Sequence, residues 1–160
     1  LDIQPSKEPP ANVGAEVALH NGIALMLSII QDNSVAGRTV TNRADVDRCE
    51  RFLADAARSS ELPARKRWVA AILAGRLLST YRDDHAGARD YFNQAKRQTE
   101  EGSIEEMAAE WWRADTFVQE GNRDRANAIY GRILSDYRDV WPDSSIIARS
   151  KAIRKKFRKR

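Results

Sequence analysis

The sequence predicts an all-α protein made of antiparallel helical hairpins, about seven helices in all. Three observations carry this. Apolar residues recur at helical spacing through most of the chain, as in Met107, Ala108, Trp111, Ala114, Phe117 and Val118. Only five prolines and eight glycines fall in 160 residues, which leaves long unbroken segments. Arg and Ala are abundant and β-branched runs are few, which favours helix over strand. The length suits one domain with a sizeable core, and a hydrophobic fraction of 42% is ordinary for a globular chain.

Residues 1–12 carry Pro5, Pro9 and Pro10 among polar residues and read as a flexible, extended arm, the tether of any anchor that preceded Leu1. Residues 13–160 form the helical domain. A first helix over 13–31 places Leu19, Ile23, Met26, Leu27 and Ile30 on one face. It contains no Lys or Arg, so it reads as a core helix rather than a membrane-surface one. Asp32 to Thr41 reads as a polar loop. Asn42 is placed to cap a second helix over 43–59, with Val46, Cys49, Phe52, Leu53 and Ala56 facing inward. Pro63 suits the first turn of a third helix over 63–81, where Trp68, Ala71, Ile72, Gly75, Leu78 and Tyr81 are in phase. Asp83 and Asp84 make a turn and cap before a fourth helix over 85–99, with Ala88, Tyr91, Phe92 and Ala95 on its apolar face.

The fifth and sixth helices, over 103–120 and 123–137, are the clearest hairpin. Ser103 and Glu106 form a capping box, in which the hydroxyl accepts from the Glu106 N–H and the carboxylate returns to the N–H of Ser103. Gly121 supplies the left-handed residue that ends one helix, and Asn122 caps the next. Ala126, Ile129, Tyr130, Ile133, Leu134 and Tyr137 form the stripe of the sixth helix. Ala114 and Ala126 fall near the turn, where the two helices must approach closely, and so short a turn makes them antiparallel neighbours.

This hairpin resembles a tetratricopeptide repeat, a helix–turn–helix unit of about 34 residues. The residues that carry the resemblance are Ala114 and Phe117, Gly121 and Asn122, and Ala126, Tyr130 and Ile133. One feature departs from the pattern: Glu110 holds the position of the bulky first-helix residue, and Trp111 and Trp112 stand one and two places after it. Ala88, Phe92 and Ala95 match Ala126, Tyr130 and Ile133 at a constant offset, so the third and fourth helices repeat the fifth and sixth with a few extra residues around Thr99 to Gly102. A seventh helix over 143–158, opened by Pro142, carries Ile146, Ile147, Ile153 and Phe157 and would cap the stack. Ala126 to Ala152 is similar to the variant repeats of bacterial cell-envelope proteins, among them outer-membrane assembly lipoproteins and periplasmic coordinators of cell division. The chain begins at Leu1 rather than Met, which points to a processed or trimmed product. Together these suggest an exported protein of the bacterial periplasm or cell envelope, with the cytoplasm as the alternative.

The resemblance implies a short right-handed solenoid and a non-enzymatic adaptor. A peptide or helix of another protein, the chain being one part of a larger assembly, would lie in a groove along the first helices of successive repeats. On this alignment Trp111 faces the groove, with Asp115 and Gln119 along the same strip. A different function class comes from charge. Arg149, Lys151, Arg154, Lys155, Lys156, Arg158, Lys159 and Arg160 are eight basic residues with no acidic one among them, whereas residues 1–148 carry 19 basic against 23 acidic residues. Such an end could bind an acidic protein, anionic lipid or nucleic acid phosphates, or serve only as a solvated end that suits the helix dipole. Phe157 is the only aromatic there, which argues against stacking of single-stranded bases.

No catalytic residue, metal site or cofactor is predicted. Cys49 is alone and reads as a buried small hydrophobe. His20 and His85 are far apart and lack ligand spacing. The carboxylate pairs Asp83-Asp84, Glu100-Glu101 and Glu105-Glu106 are explained by helix ends, and His85 beside Asp84 by a polar turn. No phosphate loop, zinc motif or nucleophile elbow is present.

Overall fold

Each helix starts where a side chain or carbonyl can hold its first free N–H groups. The computed structural model describes residues 14–36 and 42–158, so the arm, most of the first loop, Lys159 and Arg160 lie outside the described residues. Within them are seven helices and no strand: α1 (Ala15–Ala36), α2 (Arg43–Arg58), α3 (Ala64–Tyr81), α4 (His85–Lys96), α5 (Ile104–Gln119), α6 (Arg123–Asp136) and α7 (Ser145–Arg158). Side-chain oxygens of Asn42, Asp84, Ser103 and Asn122 accept from the first turns of α2, α4, α5 and α6. Gly121 takes φ +76° at the α5–α6 turn, the left-handed conformation that glycine adopts without steric cost.

Four boundaries differ from the sequence expectation. α1 runs through Asp32, Asn33 and Ser34 to Ala36, because those residues are weak helix formers without being breakers, and the first breaker is Gly37. α4 ends at Lys96 rather than at 99, where Thr99 folds back and its hydroxyl donates to the Lys96 carbonyl at 2.7 Å. Pro63 lies just outside α3, its carbonyl accepting from Lys66 and Arg67. Pro142 sits in a turn, and α7 starts at Ser145 after the Ser144 hydroxyl accepts from Ile146 N–H. The Glu106 carboxylate also differs: it accepts from Gly102 N–H at 2.8 Å, one residue before the expected partner.

Consecutive helices pack against one another along the whole chain. In addition the backbones of α1 and α3, α3 and α5, and α5 and α7 approach closely, whereas among the described residues the backbones of even-numbered helices stay farther apart. The odd helices therefore form a continuous layer, and beside it α2 and α4 meet through side chains, Tyr91 donating to Glu50 and Gln94 to the Ala57 carbonyl. Small residues at the crossings set this spacing. Gly22 lies on Leu53 and its carbonyl accepts from the Cys49 thiol at 3.3 Å. Gly75 lies on the ring of Phe92. Ala88, Ala114 and Ala126 are fully buried. Cys49 is fully buried too, and desolvation, helped by Glu50, pushes its thiol up to about 12, so it stays a protonated core residue.

The core runs from end to end. Met26, Val46, Leu53 and Leu77 fill its first part, Leu19, Ile72, Leu78 and Phe92 its middle, and Met107, Tyr130, Ile133 and Ile147 its last. Trp112 packs against both the middle and the last part. A polar clamp ties α4, α5 and the end of α6 together. Lys96 lies 3.3 Å from Glu106 and 2.9 Å from Glu110, and Glu110 also pairs with Arg113 at 2.8 Å. Desolvation alone would raise the Glu106 pKa, but the Gly102 N–H, the Tyr137 hydroxyl and Lys96 together hold it below the ordinary carboxylate value. The Trp141 indole N–H donates to the Gly102 carbonyl at 3.0 Å, fastening the chain after α6 to the same turn.

Two predictions follow from this packing. A Cβ on Gly75 would stand 2.6 Å from Phe92, whereas one on Gly131 meets nothing closer than 3.6 Å. Gly75→Ala should lower stability by about 1–3 kcal/mol through overpacking, and Gly131→Ala should raise it by about 0.5–1 kcal/mol through helix propensity; urea unfolding of both variants reads the opposite signs. Because the native pKa of Glu106 is lowered, its contribution is full above the unfolded carboxylate value near 4.5 and disappears as pH falls through the native value. Glu106→Gln should cost about 1–3 kcal/mol at pH 7, and thermal melts of the two proteins should converge in acid.

Candidate functional site

On the layer of odd helices, two tryptophans and two arginines form a ladder. The Arg76 guanidinium of α3 lies 4.6 Å from the centroid of the Trp112 ring. Trp112 meets Trp111 edge to face, with centroids 4.9 Å apart and planes at 83°. Arg149 of α7 lies 6.0 Å over Trp111. Cation–π and edge-to-face contacts thus run across α3, α5 and α7 in one row. Trp111 is only 9% exposed and belongs to the core with Met107, Ala114 and Ile147; its indole N–H has no hydrogen-bond partner. Trp112 is half-buried.

Of the three residues expected on a groove strip, the structure brings Asp115 and Gln119 together and sets Trp111 beneath the surface. Gln119 Nε2 donates to Asp115 Oδ2 at 2.8 Å. Adjacent helical residues point about 100° apart, so only one of the paired tryptophans can face outward with them. That one is Trp112, whose spacing to Asp115 and Gln119 is three and seven residues.

A chain of polar contacts ends on this strip. His85 Nε2 lies 2.9 Å from Asp83, and its Nδ1 lies 3.4 Å from Ser79 Oγ. Ser79 Oγ donates to Gln119 Oε1 at 2.6 Å, and Gln119 passes the chain to Asp115. Burial raises the Asp115 pKa, opposed by Gln119 and His85. Asp83, with φ 56°, is the partner of His85, while Asp84 is occupied as the cap of α4. Aspartate, histidine and serine in series are the components of an activated nucleophile. Here, however, the short bond of Ser79 goes to an amide, the imidazole contact is long, and neither Ser79 nor His85 lines any of the three clefts described below. The chain joins the ends of α3 and α5 to the α3–α4 turn.

α7 packs through Ile146, Ile147, Ser150, Ile153 and Phe157. Arg149 flanks that side over Trp111, and Lys151, Lys155, Lys156 and Arg158 stand away from it; all five are exposed and none is in an ion pair with the described residues. Arg154 is different: it is half-buried, donates to Asn127 Oδ1 at 2.9 Å and lies against Gly131. Lys159 and Arg160 are outside the described residues.

Because the backbones of the even helices stay apart, clefts open between them. The one between α4 and α6, floored by α5, has a volume of about 540 Å³ and is lined by Arg89, Arg113, Phe117, Arg125 and Arg132 with Asp90 and Asn93. The one between α2 and α4, about 320 Å³, mixes Asp47, Glu50 and Asp55 with Arg51, Arg58 and Arg82. A third, about 300 Å³, lies at the start of α3 around Trp68, whose indole donates to the Glu105 carbonyl. Sequence reasoning missed the arginine cleft, since its residues come from three helices and share no local motif.

The chain matches no known protein family, no curated protein and no solved structure. Among the described residues no group of three His, Cys, Asp or Glu side chains is arranged to hold a metal ion, and no helix is long and apolar enough to cross a membrane.

Proposed function

We propose that the chain is a non-enzymatic adaptor, a tetratricopeptide-like stack capped by α7, that holds a peptide or helix of a partner protein against its odd helices. One observation carries this reading. The odd helices form a continuous layer, and on it the half-buried Trp112, braced by Arg76, stands in line with Asp115 and the exposed Gln119. A braced aromatic beside polar groups with defined partners is the composition of a binding hot spot. Trp111 supports that residue from below. Asp115, desolvated and held by Gln119, offers a carboxylate to a donor on the partner. The likeness of Ala126 to Ala152 to envelope-protein repeats supports a working place in the bacterial periplasm or cell envelope, with the cytoplasm as the alternative. A partner retained from extract by the wild-type protein should be released by Trp112→Ala and by Gln119→Arg, with at least about tenfold weaker binding. Circular dichroism and urea unfolding check that both variants keep their fold and stability, since Gln119 also accepts from Ser79 at the end of α3. Undiminished retention by both variants would refute the groove.

A second reading is favoured by α7 itself. A helix whose buried side is apolar and whose outer side carries Lys151, Lys155, Lys156 and Arg158, none in an ion pair with the described residues, is built to face an anionic surface of lipid or nucleic acid. On this reading Lys151→Glu/Lys155→Glu/Arg158→Glu abolishes binding to phosphatidylserine vesicles or to duplex DNA, and wild-type binding falls steeply with salt. Binding that survives the triple variant would rule it out.

A further inference from the structure

We propose that the arginine-lined cleft between α4 and α6 is a second binding site, for an extended acidic segment of a partner protein. It lies on a different side of the molecule from the odd-helix strip. Arg113 and Phe117, its floor, stand about 100–140° round α5 from Trp112.

The case rests on where the positive charge is already answered and where it is not. Arg89 pairs with Glu120 at 2.8 Å and reaches the Thr116 hydroxyl, and Arg113 pairs with Glu110 and reaches Asn93. Those two guanidiniums are fixed. Arg125 and Arg132 are exposed, line the same cleft and make no ion pair among the described residues. The cleft one hairpin earlier is an internal comparison. There Arg82 bridges to Asp47 and lies 3.1 Å from Glu50, and three carboxylates face three arginines. The architecture is repeated, but the later cleft sets four arginines against one lining carboxylate, Asp90, where the earlier one balances its arginines with as many carboxylates. Phe117 at its base carries the guanidinium of Arg89 at 4.5 Å and that of Arg125 at 5.7 Å, which restrains Arg125 toward the cleft.

The spacing selects the ligand. Arg125 and Arg132 lie seven residues apart on one helix, about 10.5 Å along its axis. In an extended polyproline-II-like chain, side chains three residues apart share a side and lie about 9 Å apart. Two carboxylates at that spacing would each meet one guanidinium, in the planar geometry that favours Arg–carboxylate pairs. A nucleic acid would lose its stacking contact, because the ring at the base of the cleft already carries two guanidiniums.

The test uses the whole chain and a fluorescein-labelled synthetic peptide of about ten residues with two aspartates three positions apart, read by fluorescence anisotropy. The same peptide with asparagines and a labelled oligo-dT serve as comparison probes. The acidic peptide should bind saturably, and the amide peptide at least about tenfold more weakly. Arg125→Glu/Arg132→Glu should lose at least about tenfold, and Arg125→Gln/Arg132→Gln should lose less in the same direction. Arg51→Glu, in the neutralised cleft, and Lys151→Glu/Lys155→Glu, on α7, should bind as wild type. Partner retention that depends on Trp112 should survive the cleft variants, so failure of one site is told apart from failure of the other. The proposal is overturned by equal binding of the amide peptide, by full binding to the Arg125/Arg132 variants, by oligo-dT binding that needs the same two arginines, or by no saturable binding at millimolar peptide.

Discussion

The fold depends on how closely the backbones of paired helices approach at a few side-chain-poor crossings. Gly75 leaves no room for even a methyl group beneath Phe92, and Gly22 is equally closed by Leu53. Ala88, Ala114 and Ala126 repeat the arrangement farther along the chain. Interiors packed at this density respond to one added carbon with strain or displacement. The tight pairing of neighbours lets each odd helix reach the next odd helix and leaves the backbones of the even helices farther apart. The ladder of tryptophans and arginines and the clefts on the other side are thus two consequences of one spacing.

Charge is used differently in different parts of this frame. Lys96, Glu106, Glu110, Arg113 and Tyr137 form a closed network near the α4–α5 turn, in which the carboxylate of Glu106 is satisfied by three donors. Such a network holds helices in register, and removing one member leaves a partner buried without compensation. Arg82 with Asp47 and Glu50 closes the earlier cleft in the same way. By contrast Arg125, Arg132 and the outer side of α7 carry cations that nothing among the described residues neutralises. A surface that satisfies its ions in some grooves and leaves them open in others has a polarity that packing alone does not require.

Local features were legible in the sequence because they are settled within a few residues. The caps at Asn42, Asp84, Ser103 and Asn122, the left-handed Gly121 and the alanine stripe all follow from backbone geometry and helical phase. The misread details are those decided by tertiary contacts. Glu106 turns to Gly102 because that residue, at φ +76°, presents its N–H into the clamp. Pro142 is kept out of α7 by a turn whose Trp141 is fastened to Gly102. At Trp111 and Trp112 helical phase allowed either to face outward, and the packing of α7 over Trp111 decided between them. The arginine cleft could not be read at all, since Arg89, Arg113, Arg125 and Arg132 meet only once three helices are assembled.

The two surfaces are mechanically linked through α5. Its one side carries Trp112, Asp115 and Gln119, and its other side carries Arg113 and Phe117 at the floor of the cleft. Glu110 and Arg113 join the cleft floor to the clamp, and Gln119 joins the strip to Ser79 and His85 at the end of α3. A ligand that drew Arg113 away from Glu110 would therefore act on the same helix that presents Trp112.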